Sequence, residues 1–132
     1  MLDTNVAIHL RDRDEATMDR VLALGGEVMI SVITRVELEG GVYQEPSKSR
    51  TRRERLDAIL ASLPTVPFDD QASDAHRAIV EAAGFSRRKI LDRMIAAQSL
   101  VHRATLVTFN ADDFRDVPGL DLLEWRADDL RP

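Results

Sequence analysis

Three acidic residues stand at comparable places along the chain, each within a few residues of a predicted strand end or helix start. They are Asp3, Glu37 and Asp92. In a parallel α/β sheet, the carboxyl ends of the strands lie along one edge, and ligands bind there. Carboxylates gathered at that edge repel one another unless a hard divalent cation lies between them. Mg²⁺ takes oxygen ligands and keeps waters that can be activated, so the spacing predicts one acidic site for Mg²⁺.

Each of these acids also has a purely structural interpretation. Asp3 is a good N-cap for a helix that follows the first strand, and Thr34 and Glu37 match the two ends of a capping box. Asp92 would favour the positive end of its own helix dipole. For any one acid, the structural interpretation is the stronger one. The shared edge favours a common site, because three acids placed there need a reason for their mutual repulsion.

Other catalytic chemistries find little support in the sequence. The chain has no Cys, which excludes disulfides, thiolate zinc sites and cysteine nucleophiles. Its three His residues are scattered, and neither a GxSxG elbow nor a Walker loop is present. A haloacid-dehalogenase-like phosphatase would need a second acid at Asn5, which cannot serve as the general acid. The acidic site is therefore the leading candidate for chemistry.

Length and composition are those of one ordinary globular domain, residues 1–132. Hydrophobic residues make up 44% of the chain and charged residues 31%, and no apolar run approaches the ~18 residues of a membrane span. The absence of Cys is compatible with a reducing compartment, and we expect a cytoplasmic protein without a membrane anchor. The net charge of −5 argues mildly against gripping nucleic acid by bulk electrostatics.

Basic residues are concentrated in two local clusters, residues 50–55 and residues 87–89. Sixteen of the 18 basic residues are Arg, whose planar guanidinium binds phosphate in a bidentate manner. An Arg-rich, Asp-rich composition is also typical of a solvated surface, and for either cluster alone that interpretation is favoured. Arg87, Arg88 and Lys89 precede Asp92 closely enough to steer an RNA backbone. Arg93 is expected to point to solvent or to contact phosphate.

Strands and helices alternate in the predicted order of elements. Apolar stretches predict strands, and amphipathic stripes bounded by capping residues, Gly and Pro predict helices. Strands separated by helices imply right-handed crossovers, hence a three-layer α/β/α domain with a mostly parallel central sheet. The predicted strands are residues 1–4, 28–31, 65–68, 106–109 and 120–125; the predicted helices run from residue 5 to 10, 14 to 24, 34 to 43, about 56 to 63, 69 to 84 and 90 to 102.

Four ordered motifs together resemble the PIN-domain ribonucleases, and within them the VapC-type toxins of type II toxin–antitoxin systems. They span nearly the whole chain and end before a final Val-Pro-Gly-Leu stretch at residues 117–120. The motifs are Leu2-Asp3-Thr4-Asn5, then Ser31, Thr34, Glu37 and Leu38, then Leu91-Asp92 with Ile95-Ala96-Ala97, and finally Val107-Thr108 with Asn110, Asp113 and Phe114.

The resemblance implies a Mg²⁺- or Mn²⁺-dependent endoribonuclease. Asp3 and Asp92 would hold the metal most directly, and Glu37 would ligate it or orient bound water. Many members carry a fourth acid where this chain has Asn110, so Asp113 is the charged group we expect to act there through water. Asp112 is expected to face solvent. A purely structural role for both acids, in a turn or as helix caps, remains an equal alternative.

The resemblance also implies partners. It predicts a homodimer held inactive, in a toxin–antitoxin hetero-oligomer, by an antitoxin whose own N-terminal part binds DNA. An apolar groove including Val36, Leu38, Val42 and Leu56 is expected to receive that antitoxin if these side chains are not wholly buried. The rival interpretation is a PIN-like RNA- or protein-binding module without turnover.

Overall fold

The computed structural model of the chain describes residues 1–126, in which helices alternate with short strands. Two one-turn 3₁₀ helices, Pro46–Lys48 and Ala111–Asp113, lie between longer elements. The strands are β1 (Ile30–Ser31), β2 (Thr65–Val66), β3 (Leu106–Thr108) and β4 (Leu122–Glu124); the α-helices are α1 (Thr4–Arg11), α2 (Glu15–Ala23), α3 (Val32–Gln44), α4 (Ser49–Ser62), α5 (Asp70–Ala83) and α6 (Ile90–Val101).

A parallel sheet is assembled around Leu2. This residue forms parallel bridges with Ile30 of β1 on one side and Val107 of β3 on the other. Strand β1 pairs in parallel with β2, and β3 pairs in parallel with β4. The spatial order is therefore β2, β1, Leu2, β3, β4, and the expected parallel α/β fold is confirmed.

The strands are shorter than predicted, and the first one is interrupted by a helix cap. The Asp3 side chain accepts a hydrogen bond from the Thr4 amide, so α1 begins directly after Leu2. Ser31 ends β1 in the same way, since its hydroxyl accepts from the Ile33 amide at 2.9 Å and caps α3. The prediction that this helix starts at Thr34 was wrong by two residues. At these two places the chain passes directly from the sheet into a helix.

The alternation of side chains along the strands builds a core on each face of the sheet. Met1 and Leu106 pack in one buried cluster with Ile95 and Ile79 of the α6 and α5 helices. Their neighbours Leu2 and Val107 belong to a second cluster, which includes residues of α1 and α4. Successive strand residues point to opposite faces, so a two-sided core means helices on both sides. The three-layer α/β/α arrangement is confirmed.

The α5 helix shows how local residues set its limits. Asp69 caps its start by accepting from the Ala72 amide at 2.9 Å. Gly84 ends it with φ +85°, a left-handed conformation that favours glycine because it lacks a Cβ. No helix within residues 1–126 has the length and apolar character needed to cross a membrane.

The antitoxin groove was expected only if its side chains are not wholly buried, and this condition fails for three of the four residues. Leu38, Val42 and Leu56 are at most 1% exposed and form a buried cluster with Ala7, where α1, α3 and α4 meet. The sequence left their burial open, because an amphipathic stripe does not say what covers it. Val36, on the opposite side of α3, remains exposed.

Candidate active site

Asp3 occupies the centre of the sheet edge, between β1 and β3. Its amide donates to the Val107 carbonyl at 2.8 Å, which continues the ladder, while its side chain is buried. One carboxylate oxygen accepts from the Thr4 amide and the other from the Thr108 hydroxyl, both at 2.8 Å. Capping a helix and joining a site are therefore compatible for this residue. Each oxygen keeps a lone pair for a further partner.

Glu37 lies one turn beyond the start of α3 and is linked to α1 by a hydroxyl. The Thr4 Oγ1 atom is 3.0 Å from Glu37 Oε1 and 2.9 Å from the Thr34 hydroxyl. The capping-box interpretation is wrong, because Ser31 is the N-cap and Glu37 is six residues further along the helix. Its exposed carboxylate is instead turned toward the residues that follow the first strand.

Asp92 lies in the first turn of α6, where the helix dipole favours a negative charge. Burial nevertheless raises the pKa of Asp92 to about 6, and repulsion from Asp3, Asp113 and Glu37 adds to the rise. Arg88 acts in the opposite direction and lowers the pKa of Asp92. Burial and repulsion therefore destabilise the charged form of Asp92 by more than the helix dipole and Arg88 stabilise it.

Asp113 ends the 3₁₀ turn that follows β3. Its Oδ2 atom accepts from the Asn110 side-chain amide at 2.7 Å, and its Oδ1 atom is 3.7 Å from the Arg88 guanidinium. Asp112 faces solvent, as expected, and pairs with Arg115 of the same turn. The neutral Asn110 thus positions Asp113, and only the second of the two adjacent acids is turned toward the site.

Electrostatics joins these four carboxylates into one site. Burial raises the pKa of Asp3, hydrogen bonds from Thr108 and Thr4 oppose that rise, and repulsion from Glu37 and Asp113 adds to it. The pKa of Asp92 is raised by Asp3, Asp113 and Glu37. Charges act on one another in this way only when they share a poorly screened region. We call Asp3, Glu37, Asp92 and Asp113 the acidic tetrad.

Hydroxyl and amide side chains hold the acidic tetrad in place, and no role for them follows from the sequence alone. Thr4 and Thr108 are buried and bond directly to tetrad carboxylates. Asn5 accepts from the Phe109 amide at 3.3 Å, which ties α1 to the end of β3. Threonines next to acids are too common to be a signal. Their role emerges only when the sheet brings residues more than 100 positions apart into contact.

The Arg residues of α4 prove to be structural in part. Arg53 binds both oxygens of Glu39, at 2.6 and 3.2 Å, and also the Asp57 carboxylate at 2.7 Å. Arg52 donates to the Gly41 carbonyl and to Glu45. These guanidiniums are engaged in joining α4 to α3, which supports the surface interpretation of this cluster over phosphate binding.

Arg93 does not reach solvent, contrary to expectation. Its side chain is 3% exposed and donates to the Gly84 carbonyl and, at 3.0 Å, to Asp116. A long cationic side chain on an otherwise apolar helix face is easily taken for a surface residue. The buried Arg93 guanidinium instead connects the end of α5 to the partly exposed Asp116, in the segment after Asp113.

The donor chemistry of the acidic tetrad fits a hard divalent cation. Two of its carboxylates have a raised pKa, so a cation placed among them would relieve both burial and repulsion. Within residues 1–126, no three His, Cys, Asp or Glu side chains are close enough to enclose a metal ion. Mg²⁺ commonly binds through one or two carboxylates and fills its other positions with water, so the tetrad suits Mg²⁺ better than a fully protein-ligated ion.

Comparison with known proteins agrees with this geometry. The profile of the PIN domain family matches residues 1–120. Ribonuclease VapC2 of Rickettsia felis is 28% identical over 131 residues, which covers 95% of this chain and 96% of that protein.

Two solved structures are similar along nearly the whole chain. One is VapBC2 of Rickettsia felis bound to a DNA fragment from its promoter, with TM-score 0.82, 27% identity, and 95% of this chain and 97% of that chain covered. The other is FitAcB of Neisseria gonorrhoeae, with TM-score 0.79, 27% identity, and 93% and 95% covered. A family match over this length, on a parallel sheet that carries four acids at one edge, means that the chain belongs to the PIN domain family.

Proposed function

We propose that this protein is a metal-dependent endoribonuclease and the toxin of a toxin–antitoxin pair. The observation that carries the proposal is the acidic tetrad, in which burial and like charge raise the pKa of Asp3 and Asp92, and Arg88 offsets only part of the rise at Asp92. Such an arrangement is unfavourable for folding and suits a site that binds a metal and a phosphodiester. The similarity to a ribonuclease, at 28% identity, supports RNA as the substrate.

Each residue of the acidic tetrad has a distinct part in the proposed reaction. Asp3 and Asp92 would hold Mg²⁺ or Mn²⁺, which when bound would lower the pKa of a water and neutralise phosphoryl charge. Glu37 accepts a proton from, or orients, the attacking water. Asp113 acts through a second water, steadied by Asn110. Thr4 and Thr108 fix the carboxylate orientations, so little rearrangement is needed on substrate binding.

An antitoxin is the proposed regulator, by analogy with the solved VapBC and FitAcB complexes. A cationic side chain of that partner would enter the acidic tetrad, since a carboxylate cluster attracts Arg or Lys. An apolar groove of about 270 Å³ between α1, α2 and α4, with Leu10, Val21 and Leu22 in its lining, offers a surface for the partner's apolar residues. This groove replaces the one expected at Leu38, Val42 and Leu56. A homodimer in the cytoplasm, with an antitoxin whose N-terminal part binds DNA, completes the proposal.

The direct test is cleavage of single-stranded RNA by purified protein with Mg²⁺, with EDTA, and with the D92N variant. We expect defined fragments only with the wild type and metal. Growth arrest on expression, relieved by the product of the adjacent gene, tests the toxin role. Absence of cleavage across diverse RNAs, with Mg²⁺ bound, would reject the enzyme.

A second candidate is a PIN-like module that binds RNA or protein without turnover. One observation favours it: within residues 1–126 no three acidic side chains converge closely enough to chelate an ion by themselves. Titration of Mg²⁺ by calorimetry separates the two candidates. Binding in the wild type that is lost in the D3N variant supports the enzyme, whereas no binding in either protein supports the module.

A further inference from the structure

We propose that residues 84–89, the loop between α5 and α6, form an RNA-binding element beside the acidic tetrad. In this element Phe85 stacks on an unpaired base and Arg87 binds a backbone phosphate. The inference rests on the proposed ribonuclease function and names how its substrate is held. It concerns residues that the catalytic proposal does not use.

Both ends of the loop are fixed to the same carboxylate. At its start, the buried Arg93 guanidinium donates to the Gly84 carbonyl and to Asp116. At its end, the Lys89 ammonium is 3.2 Å from the same Asp116 oxygen. The Arg93 side chain is 3% exposed. Its contacts to a backbone carbonyl and to the partly exposed Asp116 restrict it more than a fully exposed ion pair would. The loop is therefore anchored before any ligand arrives.

Two long backbone hydrogen bonds close a turn within the loop. The Lys89 amide donates to the Ser86 carbonyl at 3.3 Å, and the Ile90 amide donates to the Arg87 carbonyl at 3.4 Å. Gly84, at φ +85°, redirects the chain out of α5. On this anchored turn the Phe85 ring is 74% exposed. An aromatic ring that is exposed on an anchored loop is available to stack on a base, and we call it the stacking platform.

Arg88 places the platform next to the acidic tetrad. Its guanidinium is 3.7 Å from Asp113, and its charge acts on Asp92. Phe85 is three residues away, which is at most about 10 Å of extended chain. Within the described residues 1–126, the exposed Arg87 has no ion-pair partner, unlike Arg88 and Lys89. Its charge is available to a ligand.

The chemistry of the loop suits single-stranded RNA. Unstacked bases bind on aromatic side chains regardless of sequence, and adjacent guanidiniums bind the phosphates that join them. The acidic tetrad repels RNA when its metal is absent, so cationic groups immediately beside it are needed to draw the strand in. The loop supplies these groups although the whole chain has a net charge of −5.

The test measures binding of a fluorescent single-stranded RNA in the D92N background, so that cleavage does not interfere. We expect Phe85→Ala to weaken binding at least fivefold, and Phe85→Trp to stay within twofold. Tyr43→Ala is the matched control, because Tyr43 is an aromatic residue exposed to 70% on α3. It should leave binding unchanged.

Stacking and charge are separated by two further arms. Abasic sites are placed one at a time along the RNA. In the protein that retains Phe85, the abasic site at one RNA position should weaken binding. In the Phe85→Ala variant, the same abasic site should have no further effect. Arg87→Ala should lower the slope of log affinity against log salt by about 0.7, the value for one phosphate of a single strand. Arg50→Ala, which removes an Arg side chain that is 94% exposed on α4, should leave the slope unchanged.

The outcomes distinguish this inference from the proposed function. Wild-type protein that cleaves RNA while Phe85→Ala binds and cleaves equally well would overturn the inference and leave the nuclease intact. Phe85-dependent binding without any cleavage would support the inference and reject the nuclease. If Phe85→Ala instead alters the oligomeric state in light scattering and leaves RNA affinity unchanged, Phe85 serves a protein contact and the inference fails.

Discussion

Two clusters of charge on this molecule are built from the same residue types and behave in opposite ways. Between α3 and α4, Glu39 lies against Arg53, and this hydrogen-bonded pairing lowers the pKa of Glu39. In the acidic tetrad, burial and like charge raise the pKa of Asp92 to about 6. The first cluster joins two helices. In the acidic tetrad, four carboxylates outnumber the nearby Arg88 guanidinium, so the tetrad opposes folding unless a cation binds. The difference shows that neutralisation, and not the number of charges, separates a structural cluster from a candidate site.

The largest expected effect is a loss of RNA cleavage that follows substitution in the acidic tetrad and not in the cluster between α3 and α4. Asp92→Asn removes the charge that would hold the metal, so the RNA cleavage rate should fall by about a hundredfold or more, the scale at which a positioned catalytic group acts. Arg53→Gln should leave the rate near that of the wild type, since Arg53 joins α3 to α4. Rates measured on one RNA substrate decide this. An equal loss of cleavage rate in both variants would contradict the distinction between the two clusters.

A smaller effect is expected within the acidic tetrad itself. Asp113→Ala should reduce the cleavage rate about tenfold or more, which corresponds to an increase of about 1.4 kcal/mol in the activation free energy. The Mg²⁺ affinity should be largely retained. Asp112→Ala, one residue away and exposed, is the control and should do little. Cleavage kinetics combined with calorimetric Mg²⁺ titration give both quantities. Rates within twofold of wild type for Asp113→Ala would leave three working acids.

Metal binding should appear as stability of the wild type. An ion that binds only the folded state at a hundredfold excess over its Kd stabilises it by about 2.7 kcal/mol. We expect Mg²⁺ to raise the Tm of the wild type, and to raise that of Asp92→Asn much less. Glu39→Gln, in the cluster between α3 and α4, should respond like the wild type. Equal Mg²⁺ shifts in all three proteins would contradict the assignment.

The smallest effects concern the metal-free protein and its pH dependence. Because its folded pKa is raised above 3.8, Asp92 holds its proton more tightly when folded, so its contribution to stability falls as pH rises from about 4 to 6. Glu39 has a lowered pKa, and its contribution is present above about pH 4.5 and lost as pH falls. The contributions of the two clusters to stability should therefore change in opposite directions as the pH rises.

Melting curves in EDTA between pH 3.5 and 7 measure both slopes. Asp92→Asn should raise the free energy of unfolding at pH 7, because it removes a buried and repelled charge. The expected rise is only about 1 kcal/mol, because solvent screens the half-exposed carboxyl. Glu39→Gln should lower it by about 0.2 to 1 kcal/mol, as for a surface ion pair. Asp92→Asn that proves less stable than the wild type at pH 7 would mean that the Asp92 charge stabilises the fold.

Periodicity and capping residues determined much of the fold by themselves. Leu2, Leu106 and Val107 lie in short apolar stretches between amphipathic helices, and their right-handed crossovers leave few topologies besides a parallel sheet. The positions of Asp3 and Glu37 near strand ends, and of Asp92 near a helix start, followed from the same pattern. Local sequence carries this information because side-chain spacing and capping act over a few residues.

Only the tertiary structure decided what surrounds each charged or apolar side chain. Arg93 became a buried staple to Asp116, and Leu38, Val42 and Leu56 became core. Thr108 reached Asp3 across 105 positions. Burial, pKa and ion pairing depend on neighbours brought together by the whole chain, whereas spacing along one element is silent about them. The acid types were readable in the sequence, but their mutual repulsion exists only because the sheet places them at one edge.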